Sequence, residues 1–583
     1  MPYHLQLRFV LFAAGLPLAC HDHAPPVAGV ALQATGQTRT DQPLVDEATW
    51  KRWTTADYLV VAPAEFAEAL APLIAHRESL GHAVALLSTE QIYRRFSHGG
   101  PSAEAIRTAV LHVEKQSGGR LQFLFLIGDV NAREEGADTD RSLSLPTHYL
   151  RKVEYEHHRA DEHEHEFPFV QTGHDHANEE FPSDRPYGLV ANQRRISVGR
   201  LPARTAAEVR GYVQKLVAYE AQSGAGAWRR RLVVTAGPAN FGALADGAIE
   251  AIATEMLDQT VSYDFDIRFT FAKEGSPYAG RLDQLHSRWR SNLETGSLIA
   301  AYIGHGSAHG FDDAHFRGRH YFIGTREDAE LLKIPLGNPL FLSITCNTGA
   351  FDLPSGQRSM AEAMVLNPSG AIAVYAASRE THPYPNALLG QAAIEQFVNR
   401  RPRTVGEGLE AAMATARKAS IPLAELLLDT EIEPLKKEHE GLYNLFGDPG
   451  IRLQYASPVA LVRAGAGSDL TPGAKFIVDA NASESAMHGR AFFTLETPRS
   501  VIRGHLIEPS IISVAPNDGA FLAMEKNWQT ANDKTIATRN TDVVNGKAQV
   551  EFSAPSKPGR YLVKVLFESD KSAAIGHLAL NVK

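Results

Sequence analysis

The sequence predicts an α/β fold of two adjacent units, each built on a parallel sheet, followed by a small β-sandwich. Three observations lead to this prediction. Short apolar runs alternate with amphipathic stretches of about 10–15 residues, a pattern typical of parallel strands joined by helices. A linker rich in Gly and Ala near 222–227 separates two such series. From Ser457 onward, short alternating runs replace the longer periodic ones, which favours antiparallel strands.

The two α/β units are predicted at 57–220 and 221–455. In the first, apolar residues recur at helical spacing within 65–80, and Gly81 follows as a cap. Its other predicted elements are strands at 57–63, 82–87 and 121–127 and helices at 103–115 and 206–221. The second unit has predicted strands at 232–236, 297–303, 339–345 and 371–376 and helices at 247–257 and 360–366.

The C-terminal segment, 456–583, shows no long helical pattern. Turn signals at 517–519 and 558–559 separate its short apolar runs. The predicted strands lie at 474–480, 490–496, 547–552 and 560–567. We therefore expect a small β-sandwich that takes no part in chemistry.

Composition excludes several classes of protein. The 583 residues are 44% hydrophobic and 21% charged, close to the globular average, so collagen-like, coiled-coil and wholly disordered chains are excluded. A net charge of −9 argues against a nucleic-acid partner, which would need a basic face. The 2 cysteines, Cys20 and Cys346, lie far apart and cannot form a disulfide scaffold.

The amino terminus has the pattern of an export signal. Residues 1–8 end in a cation, and the apolar run 9–19 is too short to span a bilayer stably. Cys20 follows Leu18-Ala19 as in bacterial lipoproteins, although Pro17 departs from that pattern. We expect a signal peptide at 1–19, a flexible tether at 20–56, and either a lipid anchor to the bacterial cell envelope through Cys20 or secretion. The alternatives are an ordinary signal peptide cleaved nearby and a short buried strand.

Chemistry is expected where two apolar strands of the second unit end. One strand stops at Gly304, before His305, and the other stops at Cys346. In open α/β sheets, ligands bind beyond the carboxyl ends of strands. If the two strands are parallel neighbours, His305 and Cys346 face one crevice, where the imidazole can activate the thiol and later protonate a leaving amine. The amides of Gly306 and Cys346 are then candidate oxyanion donors.

The plainer interpretation is that Cys346 is a small buried core residue. Ser307 is a weaker candidate nucleophile than Cys346, because a nucleophile elbow needs Gly at position 305, which is His.

The strings YIGHGSAHGF at 302–311 and SITCNTGAFD at 343–352 resemble the gingipain family of caspase-like cysteine peptidases. Further segments agree in the same order: DYLVVAP at 57, LFLIGDV at 124–130, SDRPYG at 183–188, VGRLPART at 198–205, AEAMV at 361–365 and NLFGDPGIRL at 444–453. The resemblance implies two caspase-like subdomains and a C-terminal immunoglobulin-like sandwich. It also implies hydrolysis of protein or peptide substrates through an acyl-enzyme, with His305 as base and acid, Cys346 as nucleophile and no cofactor in the chemistry.

The resemblance leaves the specificity open. Asp246 corresponds to the acidic floor of the S1 pocket in arginine-specific members, which would favour a basic P1 residue, but Asp is also a good helix N-cap. Those members carry a Trp where this chain offers His382 and Tyr384 as pocket wall, and Arg379 in the same loop would repel a basic side chain. The family's Glu behind the His has no counterpart between 234 and 246, so the third member of the site is absent or lies elsewhere.

A histidine cluster lies in the first unit, at 154–180. Its imidazoles suit a transition metal, with candidate ligands at His163, His165, His174 and His176. The alternative is a solvated loop. Calcium, which family members hold, is a further candidate at Asp129 and Asp184.

Two functions of different classes follow. The first is an exported cysteine endopeptidase, with transpeptidation as a variant that sequence does not separate from hydrolysis. The second is a non-catalytic surface-binding or metal-binding lipoprotein on a peptidase-like fold. The retained pair of His305 and Cys346 favours the enzyme.

Overall fold

In the computed structural model of the chain, strands between Tyr58 and Phe446 form one ten-stranded sheet. The structure describes residues 52–130, 144–152, 180–222, 226–238, 258, 260–316, 318–354, 356–425, 431–464, 469–508 and 518–583. The predicted signal peptide, most of the tether and the helix at 247–257 lie outside these ranges. Within them, no helix is long and apolar enough to cross a bilayer.

The strands up to the end of this sheet are β1 (Tyr58–Ala62), β2 (Val84–Ser88), β3 (Phe123–Ile127), β4 (His148–Arg151), β5 (Glu180–Ser183), β6 (Ser197–Leu201), β7 (Arg231–Ala236), β8 (Asp266–Phe271), β9 (Ile299–Ile303), β10 (Gly306–Ser307), β11 (Gly310–Phe311), β12 (Asp313–Phe316), β13 (Arg319–Phe322), β14 (Leu340–Ile344), β15 (Ala373–Ala377) and β16 (Tyr443–Phe446). The α-helices are α1 (Ala67–Ser79), α2 (Thr89–Phe96), α3 (Ala103–Gln116), α4 (Ala206–Glu220), α5 (Leu285–Glu294), α6 (Arg326–Glu330), α7 (Met360–Leu366), α8 (Pro383–Ile394), α9 (Val405–Lys418), α10 (Pro422–Glu425), α11 (Ile432–Leu442) and α12 (Asp518–Asn532).

The large sheet runs in the order β2-β1-β3-β6-β16-β15-β14-β9-β7-β8. Every neighbouring pair is parallel except β15 and β16, which are antiparallel. The predicted parallel-rich α/β fold is confirmed, with strands of both predicted units joined in one sheet through β6 and β16. The boundary at 220 stays a prediction. Sequence patterns missed β16 because its four residues are too short to show a period.

Both faces of the sheet are covered, as the continuous apolar strands require. In β1, Tyr58 and Val60 belong to one core and Leu59 and Val61 to another, on the opposite face. Helix α1 contributes to the first of these cores, and helices α2 and α3 contribute to the second. The carboxyl ends of the parallel strands are therefore left as the open edge on which a site can form.

The C-terminal segment forms a second sheet with its own apolar core. Its strands are β17 (Ser457–Arg463), β18 (Asp469–Leu470), β19 (Lys475–Ala482), β20 (Gly489–Glu496), β21 (Thr535–Val543), β22 (Lys547–Ser553), β23 (Gly559–Glu568) and β24 (Ala573–Val582). They pair in the order β21-β20-β23-β24-β17-β19-β22, with β18 beside β24. Because the end strands β21 and β22 are consecutive and joined by a turn, the sheet is barrel-like; an immunoglobulin-like sandwich stays a prediction.

The prediction that this segment has no long helix is wrong. Helix α12 spans 15 residues, and Ala520, Phe521, Met524, Asn527 and Ala531 form a buried stripe at helical spacing. The Asp518-Gly519 pair, interpreted as a turn, instead stands at the start of the helix. The apolar stripe was the signal that could have identified it.

Helix α12 packs on the large sheet and belongs to its core. Asn532 Oδ1 accepts from the N–H of Phe269 at 2.8 Å, and the indole N–H of Trp528 donates to the carbonyl of Phe269 at 3.0 Å. These bonds satisfy backbone groups of the edge strand β8, which would otherwise be open to pairing with another chain. The C-terminal segment therefore supports the second unit directly.

Burial of Glu362 makes the stability of the fold dependent on pH. This residue of α7 is 1% exposed, and burial, reinforced by the charge of Asp129, raises its pKa to about 8. Between about pH 5 and 8 the native chain holds a proton that the unfolded chain has released. The free energy of unfolding therefore falls as pH rises through this window, by at most ~1.4 kcal/mol per pH unit.

Substitution of Glu362→Gln is expected to flatten this dependence, because the amide keeps an oxygen for the N–H of Ser359, 2.7 Å from Oε2, and does not titrate. Urea unfolding at pH 5.5, 6.5 and 7.5 measures the effect. If the free energy of unfolding falls equally steeply with pH in the parent and the variant, Glu362 is not the group responsible.

Candidate active site

The strands β9 and β14 are parallel neighbours, as the strand-end hypothesis requires. Ile303 pairs with Ile344 at their carboxyl ends, and His305 and Cys346 each follow two residues later. Parallel strands lie about 4.8 Å apart, so the two residues leave the sheet side by side on the same edge. The structure thus places the two predicted residues just beyond the ends of neighbouring parallel strands.

Glycines on both sides of His305 allow this close approach. Gly304 has φ +154° and its N–H donates to the carbonyl of Ile344 at 3.3 Å. A Cβ at Gly306 would lie 2.4 Å from Thr345 Oγ1 and 3.2 Å from the carbonyl oxygen of Cys346. Only glycine fits there, and its backbone lies directly against the segment that carries Cys346.

The backbone of His305 is held firmly while its side chain is exposed. Its carbonyl accepts from the hydroxyl of Tyr302 at 3.0 Å and from the N–H of Asp312 at 3.2 Å. Tyr302 in turn stacks on Phe311, with ring centroids 3.8 Å apart. The imidazole therefore projects into solvent from a rigid base, where a substrate can reach it.

The thiol of Cys346 is half-buried and free, and it lies against the loop that precedes α8. The N–H of Thr381 donates to Sγ at 3.3 Å, and Thr381 Oγ1 is 3.5 Å from Sγ. After the cysteine, Asn347 has φ +58° and its N–H donates to the carbonyl of Arg379 at 3.1 Å. The sulfur is thus placed at a sharp bend and faces two donor groups of one residue.

A chain of hydrogen bonds continues from Thr381 into the core. Asn386 Nδ2 donates to Thr381 Oγ1 at 2.6 Å. Asn386 Oδ1 accepts from the hydroxyl of Tyr443 and from Nε2 of His439, both at 2.7 Å. Because Oδ1 faces these two donors, the amide N–H₂ must face Thr381, which leaves the threonine hydroxyl proton free to point at Sγ.

Burial keeps His439 neutral and so fixes the direction of this chain. Burial, followed by the charge of His382, lowers the pKa of His439 to about 3. A neutral imidazole carries one N–H, and Nε2 uses it toward the oxygen of Asn386. Near Cys346, burial and then the negative charge of the thiolate hold the pKa of Tyr443 well above its usual range, so its hydroxyl stays a donor.

Asp312 supplies an acidic group beside His305. It is 5% exposed, and its Oδ1 accepts from the N–H of Asp313 at 2.9 Å. Burial raises the pKa of Asp312, and the positive charge of His305 opposes this rise. The sequence did not point to this residue, because the family's acidic group is a glutamate upstream of the histidine, whereas Asp312 lies downstream of it, between β11 and β12.

The predicted pocket wall is only partly open to a substrate. The side chain of His382 caps α8, accepting from the N–H of Tyr384 at 3.2 Å. Tyr384 is 6% exposed and its hydroxyl donates to Glu425, so it packs inside the fold. Asp246, the predicted pocket floor, lies outside the described residues.

The structure pairs Arg379 with an acidic residue, and its predicted repulsion of a basic substrate stays a prediction. Its guanidinium donates two hydrogen bonds to Asp352, at 2.8 and 2.7 Å. A bidentate ion pair of this kind offsets the charge of the guanidinium. Arg379 is therefore a weaker argument against a basic P1 residue than an unpaired arginine would be.

The histidines predicted as metal ligands are not among the residues that the structure describes. His163, His165, His174 and His176 lie outside the described ranges, as does Cys20. Asp184 accepts from Arg200 Nε at 2.6 Å and from Thr147 at 2.8 Å, and Asp129 accepts from Arg204. Both carboxylates are thus paired with arginines, and a calcium site stays a prediction.

Several known proteins are similar to this chain. The model of peptidase family C25 matches residues 51–454. The crystal structure of the Arg-specific cysteine proteinase gingipain R is similar at 14% identity, with a TM-score of 0.48 over 93% of this chain and 100% of that chain. The complex of the pro- and mature domains of RgpB from Porphyromonas gingivalis is similar at 15% identity, with a TM-score of 0.47 over 91% of this chain and 100% of that chain. A further structure, of a protease, is similar at 15% identity, with a TM-score of 0.50 over 92% of this chain and 98% of that chain. No curated protein matches.

Proposed function

Because this chain belongs to peptidase family C25, the gingipain family, and is a cysteine peptidase, we propose that it cleaves peptide bonds with Cys346 as nucleophile and His305 as general base and acid. The observation that carries the proposal is the parallel pairing of β9 with β14, which ends two residues before each of these side chains. The alternative of a core cysteine fits poorly, because Sγ is half-buried at an open sheet edge.

The proposed reaction has two stages. His305 takes the proton of Sγ, and the thiolate attacks the carbonyl carbon of the substrate. The resulting oxyanion accepts from the amides of Gly306 and Cys346, an arrangement worth about 3–4 kcal/mol when a donor is well placed. The imidazolium then protonates the leaving amine, and the C–N bond breaks to give a thioester.

In the second stage His305 takes a proton from water, which attacks the thioester and releases the acid and Cys346. Interception of the thioester by an amine would give transfer instead of hydrolysis.

We propose that Thr381 stabilises the thiolate form of Cys346. Its N–H and hydroxyl both face Sγ, and hydrogen bonds to a charged partner are stronger than neutral ones. Asn386, held by Tyr443 and His439, keeps the hydroxyl in the donating orientation. Since burial lowers the pKa of His439 to about 3, its imidazole stays neutral above that pH and the orientation does not change.

Asp312 is the group that we propose stabilises the imidazolium of His305. Charges separated by a few Å near a protein surface interact by a few kcal/mol. Asp312→Asn keeps the backbone bond to His305 and removes the charge, so we expect kcat to fall by about tenfold or more with KM nearly unchanged.

The Asp312→Asn prediction is checked by steady-state kinetics on one peptide substrate. Asp312→Glu, which restores a carboxylate, should recover part of the lost kcat. Unchanged kcat in Asp312→Asn, or an equal loss in both variants, would remove Asp312 from the mechanism.

Export and specificity are further parts of the proposal. Residues 1–19 have the pattern of an export signal, and Cys20 is the proposed lipid-anchor site. A basic P1 residue is proposed from Asp246, and the Arg379–Asp352 pair weakens the repulsion that would oppose it.

A peptide-library assay tests the proposed function. The purified chain is incubated with a peptide mixture, with and without an added amine, and the products are identified by mass spectrometry. We expect internal cleavage with Arg or Lys at P1. Cleavage after other residues would overturn only the proposed P1 preference. Products joined to the added amine would favour transpeptidation over hydrolysis. A peptide mixture left uncleaved would overturn the proposed endopeptidase activity.

A further inference from the structure

The hairpin that follows the site carries two histidines and an aspartate on one face. In β12 and β13, His315 is the cross-strand partner of His320, and Asp313 is two residues before His315. Side chains alternate along a strand and paired residues share a face, so all three point the same way. Their ligand atoms lie within 4.8 Å of one another.

The three side chains converge on the carboxylate. Asp313 Oδ2 is 2.5 Å from His320 Nδ1 and 3.5 Å from His315 Nε2. The two imidazole rings are 4.1 Å apart between centroids. Asp313 is 5% exposed, whereas the side chains of His315 and His320 are 48% and 55% exposed. A buried anionic anchor therefore stands beneath two histidines that remain open to solvent.

The opposite face of the hairpin holds this arrangement in place. Ala314 and Phe316 are buried, and the ring of Phe316 lies 5.9 Å from that of Phe521 in α12. Tyr321 also contacts Phe521, with centroids 6.1 Å apart. Because the backbone is anchored from behind, only side-chain torsions need to adjust when the three ligands close around an ion.

We propose that Asp313, His315 and His320 form a binding site for a divalent transition-metal ion, with Zn²⁺ as the best match. Imidazole nitrogens and a carboxylate suit Zn²⁺, which sits about 2.0–2.2 Å from each, whereas Mg²⁺ and Ca²⁺ prefer oxygen ligands. Three protein ligands leave the fourth position of a tetrahedral ion facing solvent. The site uses neither Cys346 nor the histidines at 154–180 as ligands, and it does not depend on peptidase activity.

Zinc titration by calorimetry tests the proposal. The full chain carries Cys346→Ala, so that the thiol of Cys346 is not a ligand. We expect His320→Gln to lower the zinc stoichiometry by one, or the affinity of one site by at least tenfold, while His286→Gln, an exposed histidine of α5, changes neither. Equal stoichiometry and affinity in His320→Gln and its parent would overturn the site.

A second measurement needs no substitution in the site. Histidines of the native chain are modified with diethylpyrocarbonate and mapped by mass spectrometry, with Zn²⁺ or Mg²⁺ present. Zn²⁺ should protect His315 and His320 several-fold and Mg²⁺ should not. Equal modification of both residues under all conditions would contradict the proposal even if His320→Gln fails to fold.

Discussion

Replacing Cys346 by Ala is expected to abolish peptide cleavage. Without Sγ no thioester forms, and removing the nucleophile of such a site lowers kcat by at least about 10⁴-fold. His305→Ala should cause a loss of similar size, because the thiol then has no base and the leaving amine no acid. The double variant should be no worse than either single one, since the two residues act as a unit.

Ser307→Ala serves as the control for these variants. Ser307 lies two residues after His305, and its Oγ accepts from the N–H of His309 at 3.2 Å within the turn. It is the only other nucleophile that the strand-end motif offers, and its loss should leave most of the kcat/KM. Full activity in Cys346→Ala, or loss in Ser307→Ala with Cys346→Ala unaffected, would contradict the assignment.

The second large effect is expected at Thr381. Thr381→Val keeps the N–H that donates to Sγ and removes the hydroxyl, and it leaves the half-buried amide of Asn386 without its acceptor. Loss of one hydrogen bond to a charged group costs about 1.5 kcal/mol, so kcat/KM and the rate of alkylation of Cys346 by iodoacetamide should both fall by roughly tenfold.

Thr381→Ser is the matched control, because it restores a hydroxyl at the same position. It should alkylate at close to the parent rate. If Thr381→Val also alkylates at the parent rate while the peptidase activity falls, Thr381 acts on the substrate rather than on the thiol, and the proposed role is wrong.

Local patterns were sufficient to predict the strands that carry the site. The predicted runs at 297–303 and 339–345 became β9 and β14, because long apolar segments that end at glycine or a polar residue have few alternatives in a parallel sheet. The same logic placed His305 and Cys346 at one edge. Their chemical roles rest on the proposed function and its tests.

The groups around the two residues could not be predicted in this way. Thr381 and Asn386 come from one stretch of the chain and His439 and Tyr443 from another, more than 50 residues later, and the two stretches meet only through tertiary packing. Asp312 is close in sequence but faces His305 only because the chain turns back through β10 and β11. Helix α12 was missed for another reason, since a turn signal at its start outweighed the helical stripe behind it.

The most direct test of the central claim is to map the attachment site of a peptidyl chloromethyl ketone. The proposal predicts one label per chain, on Cys346, with activity falling in proportion to labelling and no labelling in Cys346→Ala or, within the same time, in His305→Ala. Activity that persists after Cys346 is fully modified, or a label on another residue that abolishes activity, would contradict it.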